Sequence, residues 1–121
     1  MKAVTDDRGG TLIALDVERC PMVDFVNLVS GKWAIPILYR LMVAGRPTRF
    51  RELQRAVAPI TQKELTRQLR LFEQRGLIRR FAYAEVPPRV EYEATELALS
   101  LRQTLDSLAE WMQTHGQKLQ R

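Results

Sequence analysis

Side chains that can hydrogen-bond to base edges recur at helical spacing between residues 62 and 70. At about 100° per residue, Leu65, Leu69 and Phe72 share one side of a helix, and the opposite side carries only polar and basic groups. Arginine and lysine can bond guanine, glutamine can bond adenine, and a threonine methyl packs on thymine. The predicted base-reading residues are Gln62, Lys63, Thr66, Arg67 and Arg70. An ordinary solvated helix face remains the alternative.

The segment after Gly76 changes from helical to alternating periodicity. Two strands, about 77–83 and 90–94, are predicted, with residues 84–89 at the tip of a hairpin. Arg89 at this tip, with Arg79 or Arg80, could reach phosphate or a minor groove, although Glu85 would oppose close approach. The predicted contacts to a nucleic-acid backbone in this part of the chain are Arg51, Thr61, Arg79, Arg80 and Arg89.

Positive charge is concentrated in the middle of the chain. The 121 residues carry a net charge of +5, whereas residues 46–89 alone hold eleven Lys or Arg against four acidic side chains, a local excess of +7. A basic centre between mildly acidic flanks suggests a polyanionic partner. A solvated basic surface is the alternative, and RNA or an acidic protein could use the same face.

Cys20 is the single cysteine of the chain. It directly precedes Pro21, a residue suited to the first position of a helix, so the positive end of that helix and the neighbouring Arg19 would favour the reactive thiolate. Cys20 is therefore the candidate for a response to oxidants or electrophiles. A small buried hydrophobe without a signalling role is the alternative.

Four helices are expected before the hairpin. The first two span about residues 21–29 and 32–43, the third begins after a capping Thr48 and ends before Pro59, and the fourth runs to about residue 75. Thr61 with Glu64 three positions later has the spacing of a capping box. The third and fourth helices are thus joined by a tight turn as a helix-turn-helix. Residues 1–16 are expected to form a mobile arm, and residues 17–121 a single domain.

The last segment, about 96–119, reads as one long amphipathic helix. A domain of three packed helices and a hairpin has limited room to cover such a stripe, so we expect pairing with a second copy of the chain. Folding back onto its own core is the alternative. The predicted dimer contacts are Phe25, Leu101, Leu105, Leu108, Trp111 and Met112.

Several other classes of protein find little support. The chain has no phosphate-binding glycine loop and no nucleophile motif, and its single histidine, His115, lies near the C-terminus, so an enzyme is not expected. One cysteine and one histidine cannot build a structural zinc site, and no cofactor is expected. Without an apolar leader or a membrane-length apolar run, a cytoplasmic protein is expected.

The whole pattern resembles the HxlR-type winged helix-turn-helix transcription regulators, bacterial and archaeal relatives of the MarR group. The motifs that carry the resemblance are Cys20-Pro21, Gly31-Lys32-Trp33, Arg49-Phe50-Arg51-Glu52-Leu53, Lys63-Glu64-Leu65, Arg75-Gly76-Leu77-Ile78 and Pro87-Pro88-Arg89-Val90-Glu91-Tyr92. The chain departs from the family pattern at Pro36, Pro59, Phe72, Ala94 and Ala98. The two alanines bear on the angle of the last helix rather than on the fold.

The resemblance implies a mainly helical fold with a small β-hairpin wing, whose N- and C-terminal helices form a dimer interface. It also implies a homodimer on a roughly palindromic DNA operator, acting more often as a repressor, with Arg49 and Arg89 on backbone phosphates. A small-molecule effector could bind near Phe25, Trp33 or Trp111, although these aromatic side chains also suit a core.

Overall fold

The computed structural model describes residues 20–119 and the backbone of two short strands, β1 (Ala3–Thr5) and β2 (Thr11–Ile13), which pair antiparallel. Most of the predicted arm lies outside the described residues, and its mobility stays a prediction. The chain divides into two compact units, residues 1–32 and 33–121. The first unit contains β1, β2 and helix α1 (Pro21–Leu28), which begins directly after Cys20 as the capping position.

The second unit contains the remaining elements. In chain order they are α2 (Ala34–Ala44), β3 (Thr48–Arg49), α3 (Phe50–Ala56), α4 (Gln62–Gln74), β4 (Ile78–Tyr83), β5 (Arg89–Ala94), α5 (Glu96–Leu99) and α6 (Arg102–His115), followed by a 3-10 turn (Gly116–Lys118). Helix α2 lies at the centre of the core, with Ile37, Leu38 and Leu41 fully buried. It ends at Gly45, whose φ of 62° is the left-handed conformation that glycine adopts without strain.

Strands β3, β5 and β4 form an antiparallel sheet in that order, and β3 is an element that the sequence patterns missed. The prediction that Thr48 caps the third helix was wrong. Thr48 is buried and pairs with Tyr92 of β5, and its hydroxyl donates to the carbonyl of Arg46 at 3.3 Å. Arg49 occupies the capping position of α3 instead.

The helix-turn-helix of α3 and α4 has the predicted capping residue. The hydroxyl of Thr61 accepts a hydrogen bond from the backbone N–H of Glu64 at 3.1 Å. On the α3 side of the turn, the amide of Gln54 donates to the carbonyl of Ile60 at 3.4 Å. These two bonds fix the direction in which α4 leaves the turn.

We expect Thr61→Ala to lower the free energy of unfolding by about 1 kcal/mol, because the N–H of Glu64 loses its acceptor. Urea denaturation of the purified protein measures this change. Thr104→Ala is the matched control, since Thr104 is exposed within α6 and caps no helix. Equal stability of both variants would show that the cap contributes nothing.

The C-terminal segment is not the single continuous helix that its periodicity predicts. It breaks between α5 and α6 at Ser100 and Leu101, where the hydroxyl of Ser100 donates to the carbonyl of Leu97 at 2.6 Å and the N–H of Leu101 bonds the carbonyl of Ala98 in a tighter turn. Serine side chains that bond the preceding turn in this way bend helices. After the break, the phenol of Tyr39 on α2 donates to the carboxylate of Asp106 on α6, a bond that raises the pKa of Tyr39.

Candidate nucleic-acid interface

Helix α4 places its apolar side in the core and its basic side in solvent, as its periodicity predicts. Leu65, Leu69 and Phe72 are buried, with exposures of at most 1%. Gln68 is buried beside them at 2%; its spacing from Leu65 and Phe72 places it on this side, but its polar side chain did not indicate burial. Burial of this side anchors the helix, so its opposite side is held rigidly toward solvent.

The five predicted base-reading residues lie together on this exposed side. With Glu64 and Leu71 they line one open surface along the first turns of α4, formed by Gln62, Lys63, Thr66, Arg67 and Arg70. Four of the five are exposed, and Thr66 is half-buried. Among the ion pairs of the described residues, none involves Lys63 or Arg70, so both charges are available to an anion.

Arg67 is held by a neighbouring carboxylate. Its Nε donates to Oε2 of Glu64 at 3.1 Å, and its Nη2 donates to Oε1 of the same side chain. This pairing holds the pKa of the Glu64 carboxyl below its usual range and raises the pKa of Arg67. The spacing of three residues along a helix is a signal that could have identified the pair from the sequence.

The wing sheet has two faces, which follow from the cross-strand register. On the inner face Ile78 lies opposite Ala94, and Arg80 lies opposite Tyr92. On the outer face Arg79 lies opposite Glu93, and its guanidinium is 3.5 Å from that carboxylate. On the outer face, each basic or aromatic side chain of β4 therefore lies opposite a side chain of β5.

Arg89, predicted to reach phosphate from the wing tip, is enclosed by side chains of the wing itself. Its Nη2 is 3.1 Å from Glu85, its Nε is 3.6 Å from Glu91, and its guanidinium lies 4.1 Å from the ring centre of Tyr83. The side chain is only 28% exposed. A phosphate would have to compete with two carboxylates for this group.

The other predicted backbone contacts lie around the same sheet and helix pair. Arg49 is 62% exposed, and its Nε is 3.8 Å from the Glu91 oxygen that also faces Arg89. Arg80 and Arg70 line one cleft of about 360 Å³ between the wing and α4, together with Thr66, Leu69, Glu73 and Tyr92. Arg51 and Thr61 are exposed on the helix-turn-helix.

The positive excess therefore resides on the helices rather than on the wing. Residues 49–75 hold seven basic against three acidic side chains, whereas residues 78–94 hold three of each. Because a polyanion is attracted by the positive charge that neighbouring acidic side chains do not neutralise, α3 and α4 supply most of the local positive field.

The predicted dimer contacts are divided between exposed and buried positions. On α6, Leu108, Trp111 and Met112 are 52%, 51% and 45% exposed. Leu105 is buried within the single chain, where it can add little to an interface with a second copy. Leu101 is half-buried, as is Phe25 in the first unit.

Among the described residues, none of the helices combines the length and the apolar composition that a membrane span requires. In the same residues, no group of three or more histidine, cysteine or acidic side chains is placed to hold a metal ion.

Comparisons with known proteins agree on one family. The HxlR-like helix-turn-helix model matches residues 28–120. The HTH-type transcriptional regulator BH0655 of Halalkalibacterium halodurans is 40% identical over 96 residues, which cover 79% of this chain and 84% of that protein.

Solved structures show the same relationship. A MarR-family transcriptional regulator from Porphyromonas gingivalis W83 superposes with a TM-score of 0.74 at 33% identity, covering 82% of this chain and 95% of that one. The redox regulator HypR in its oxidized form gives a TM-score of 0.68 at 35% identity, covering 78% and 96%. The predicted winged helix-turn-helix fold is confirmed, and the chain belongs to the HxlR-like helix-turn-helix family of DNA-binding transcriptional regulators.

Proposed function

We propose that this protein acts as a homodimer on a roughly palindromic operator, at the nucleoid in the cytoplasm, and represses the genes it controls. The observation that carries the proposal is the exposed side of α4, where five side chains suited to base edges stand on a buried apolar base. Repression is the assigned outcome for an operator that overlaps the promoter, because a dimer bound there blocks access of the polymerase.

Each subunit would place the N-terminal turns of α4 in a major groove. A two-fold dimer then presents two copies of this surface roughly 34–36 Å apart, or a multiple of that distance, which sets the spacing of half-sites. The half-exposed Leu108, Trp111 and Met112 of α6 support a second copy as the occupant of that face, because such a group of large apolar side chains is costly in water.

A binding selection tests this function. The purified protein is titrated against duplex DNA selected from random sequence, at two salt concentrations. Recovery of an inverted repeat with steep salt dependence is the expected result. Tight binding without sequence preference would indicate an architectural protein, and absence of binding to duplex DNA would exclude the proposal in favour of RNA or a protein partner.

Arg67→Ala is expected to weaken binding to the selected operator by about 1–3 kcal/mol and to relax the preference at one base pair. The reason is that Arg67 is exposed near the start of α4, where helices of this motif contact base edges. Fluorescence anisotropy on the operator and its single-base variants measures both effects. An equal loss on all sequences would instead make Arg67 a phosphate contact.

We also propose a response to oxidants or electrophiles through Cys20. The supporting observations are its position at the N-terminus of α1 and the similarity to HypR, a protein named as a redox regulator. Cys20 is only 5% exposed, so the reaction requires local opening around its thiol. Operator affinity is measured before and after alkylation for the wild type and for Cys20→Ser. If alkylation changes the affinity of neither protein, the sensor role is excluded.

A further inference from the structure

We infer that Glu64 determines base preference: it holds Arg67 in a reading orientation and accepts a hydrogen bond from the exocyclic amino group of a cytosine or adenine. This inference rests on the proposed binding of α4 in a major groove. Glu64 would then contribute to recognition, although an acidic residue on a basic surface would be expected, on charge alone, to weaken DNA binding.

The backbone of Glu64 is fixed at the start of α4. Its N–H bonds the hydroxyl of Thr61 at 3.1 Å, which places it in the first turn of the helix. The N-terminal residues of such a helix are those that contact base edges. Its side chain is 34% exposed and lines the same surface as Lys63 and Arg67. Glu64 is therefore positioned to approach bases.

The geometry of the pair leaves the right groups free. Glu64 occupies the Nε and one Nη2 hydrogen of Arg67. A guanidinium has five N–H donors, so both Nη1 hydrogens and the second Nη2 hydrogen remain. These three lie at the end of the side chain, where two of them can bond guanine O6 and N7 while the pair stays intact.

The carboxylate also keeps acceptor capacity. An ionised carboxylate has about four lone-pair sites, and Arg67 uses two of them. Acidic side chains accept from cytosine N4 in major grooves. The hydrogen bond from Arg67 holds the pKa of Glu64 below its usual range, so this acceptor stays ionised at neutral pH.

The alternative role, stabilising the fold, accounts poorly for the pair. Both side chains are substantially exposed, and exposed ion pairs contribute little to stability. Near phosphates, a carboxylate weakens binding to every sequence through repulsion. Only a DNA sequence with an amino group within hydrogen-bond distance of Glu64 compensates this loss of affinity. The resulting difference in affinity between DNA sequences is specificity.

The test compares Glu64→Gln with Glu96→Gln, a matched control because Glu96 is exposed in the first turn of α5, a helix that is also capped by a threonine, and lines neither the surface of α4 nor the cleft beside the wing. Glutamine is compatible with the capping position, so the fold should persist, which thermal unfolding checks. Affinities are measured for the selected operator and for all single-base variants of one half-site.

We expect Glu64→Gln to reduce discrimination at one or two adjacent base pairs by about tenfold and to raise affinity for unrelated duplex DNA. Glu96→Gln should leave discrimination unchanged. In a double-mutant cycle with Arg67→Ala, the two losses of discrimination should be strongly non-additive.

Two results would overturn the inference. If both glutamine variants shift all sequences equally, Glu64 acts only as a charge. If Glu64→Gln and Arg67→Ala act additively, Glu64 does not work through Arg67. If the wild-type protein selects no motif at all, the proposed function is overturned together with the inference. If it selects a motif that Glu64→Gln does not alter, only the inference fails.

Discussion

Alanine at Phe72 is expected to lower the free energy of unfolding by about 3–5 kcal/mol. Phe72 is completely buried and is the largest of the fully buried side chains in the described part of the chain. Its removal leaves a cavity beneath α4 that the surrounding helices can fill only in part. Because small domains are stable by only about 5–15 kcal/mol, a large part of the margin would be lost. Urea denaturation followed by circular dichroism measures the change.

Two substitutions show whether the loss comes from the cavity. Gln74→Ala, two residues later on the exposed side, should change stability by less than about 0.5 kcal/mol. Phe72→Leu should cost less than Phe72→Ala, because leucine fills more of the cavity. A loss below about 1 kcal/mol for Phe72→Ala would contradict the packing of α4 described above.

The second large effect is expected from removing the two unpaired charges of α4. Lys63→Ala combined with Arg70→Ala should weaken operator binding by about 10²-fold or more at about 150 mM salt, because a homodimer would then carry four fewer positive charges at the interface. The slope of log affinity against log salt should become shallower by about 0.9 for each phosphate that the protein no longer neutralises. Anisotropy titrations over a range of salt concentrations measure both quantities.

The matched control for this pair is Arg40→Ala with Lys118→Ala, which removes the same charge from exposed positions on α2 and the 3-10 turn. Its effect should be small and limited to long-range attraction. Equal losses for the two double variants would mean that net charge, rather than direct binding through α4, governs affinity.

The path of α4 could be predicted from the sequence because the signals are local. Thr61 supplies the cap, the apolar residues repeat at helical spacing, and Gly76 marks the end. The exposed side then follows from geometry alone. Gln68 was missed because its polar side chain argued against burial, although its spacing from Leu65 and Phe72 places it on the core side of the helix.

The wing shows what local signals could not provide. Strands were predicted from alternation, which already places Arg89 and Glu91 two residues apart on β5. Arg49 reaches the same carboxylate only because β3 pairs with β5 and sets Arg49 opposite Glu91. The two-residue strand β3 is too short to leave a periodic signal. A charge count that stops at residue 89 also omits Glu91 and Glu93, so it overstates the positive charge of the wing.

The C-terminal helix illustrates a similar limit. Its apolar stripe continues across residues 100 and 101, so periodicity predicts one helix. At the break, the Ser100 hydroxyl bonds the carbonyl of Leu97, and the hydrophobic pattern does not report this local competition with the helix.

The central claim is that two copies of α4 enter successive major grooves. Methylation interference on the selected operator tests it most directly, because dimethyl sulfate modifies guanine N7 in the major groove and adenine N3 in the minor groove. We predict interference at guanine N7 in two clusters about 10–10.5 base pairs apart, or a multiple of that, and its loss from one position per half-site in Arg67→Ala. Interference confined to adenine N3, or a single cluster without a symmetric mate, would contradict the account.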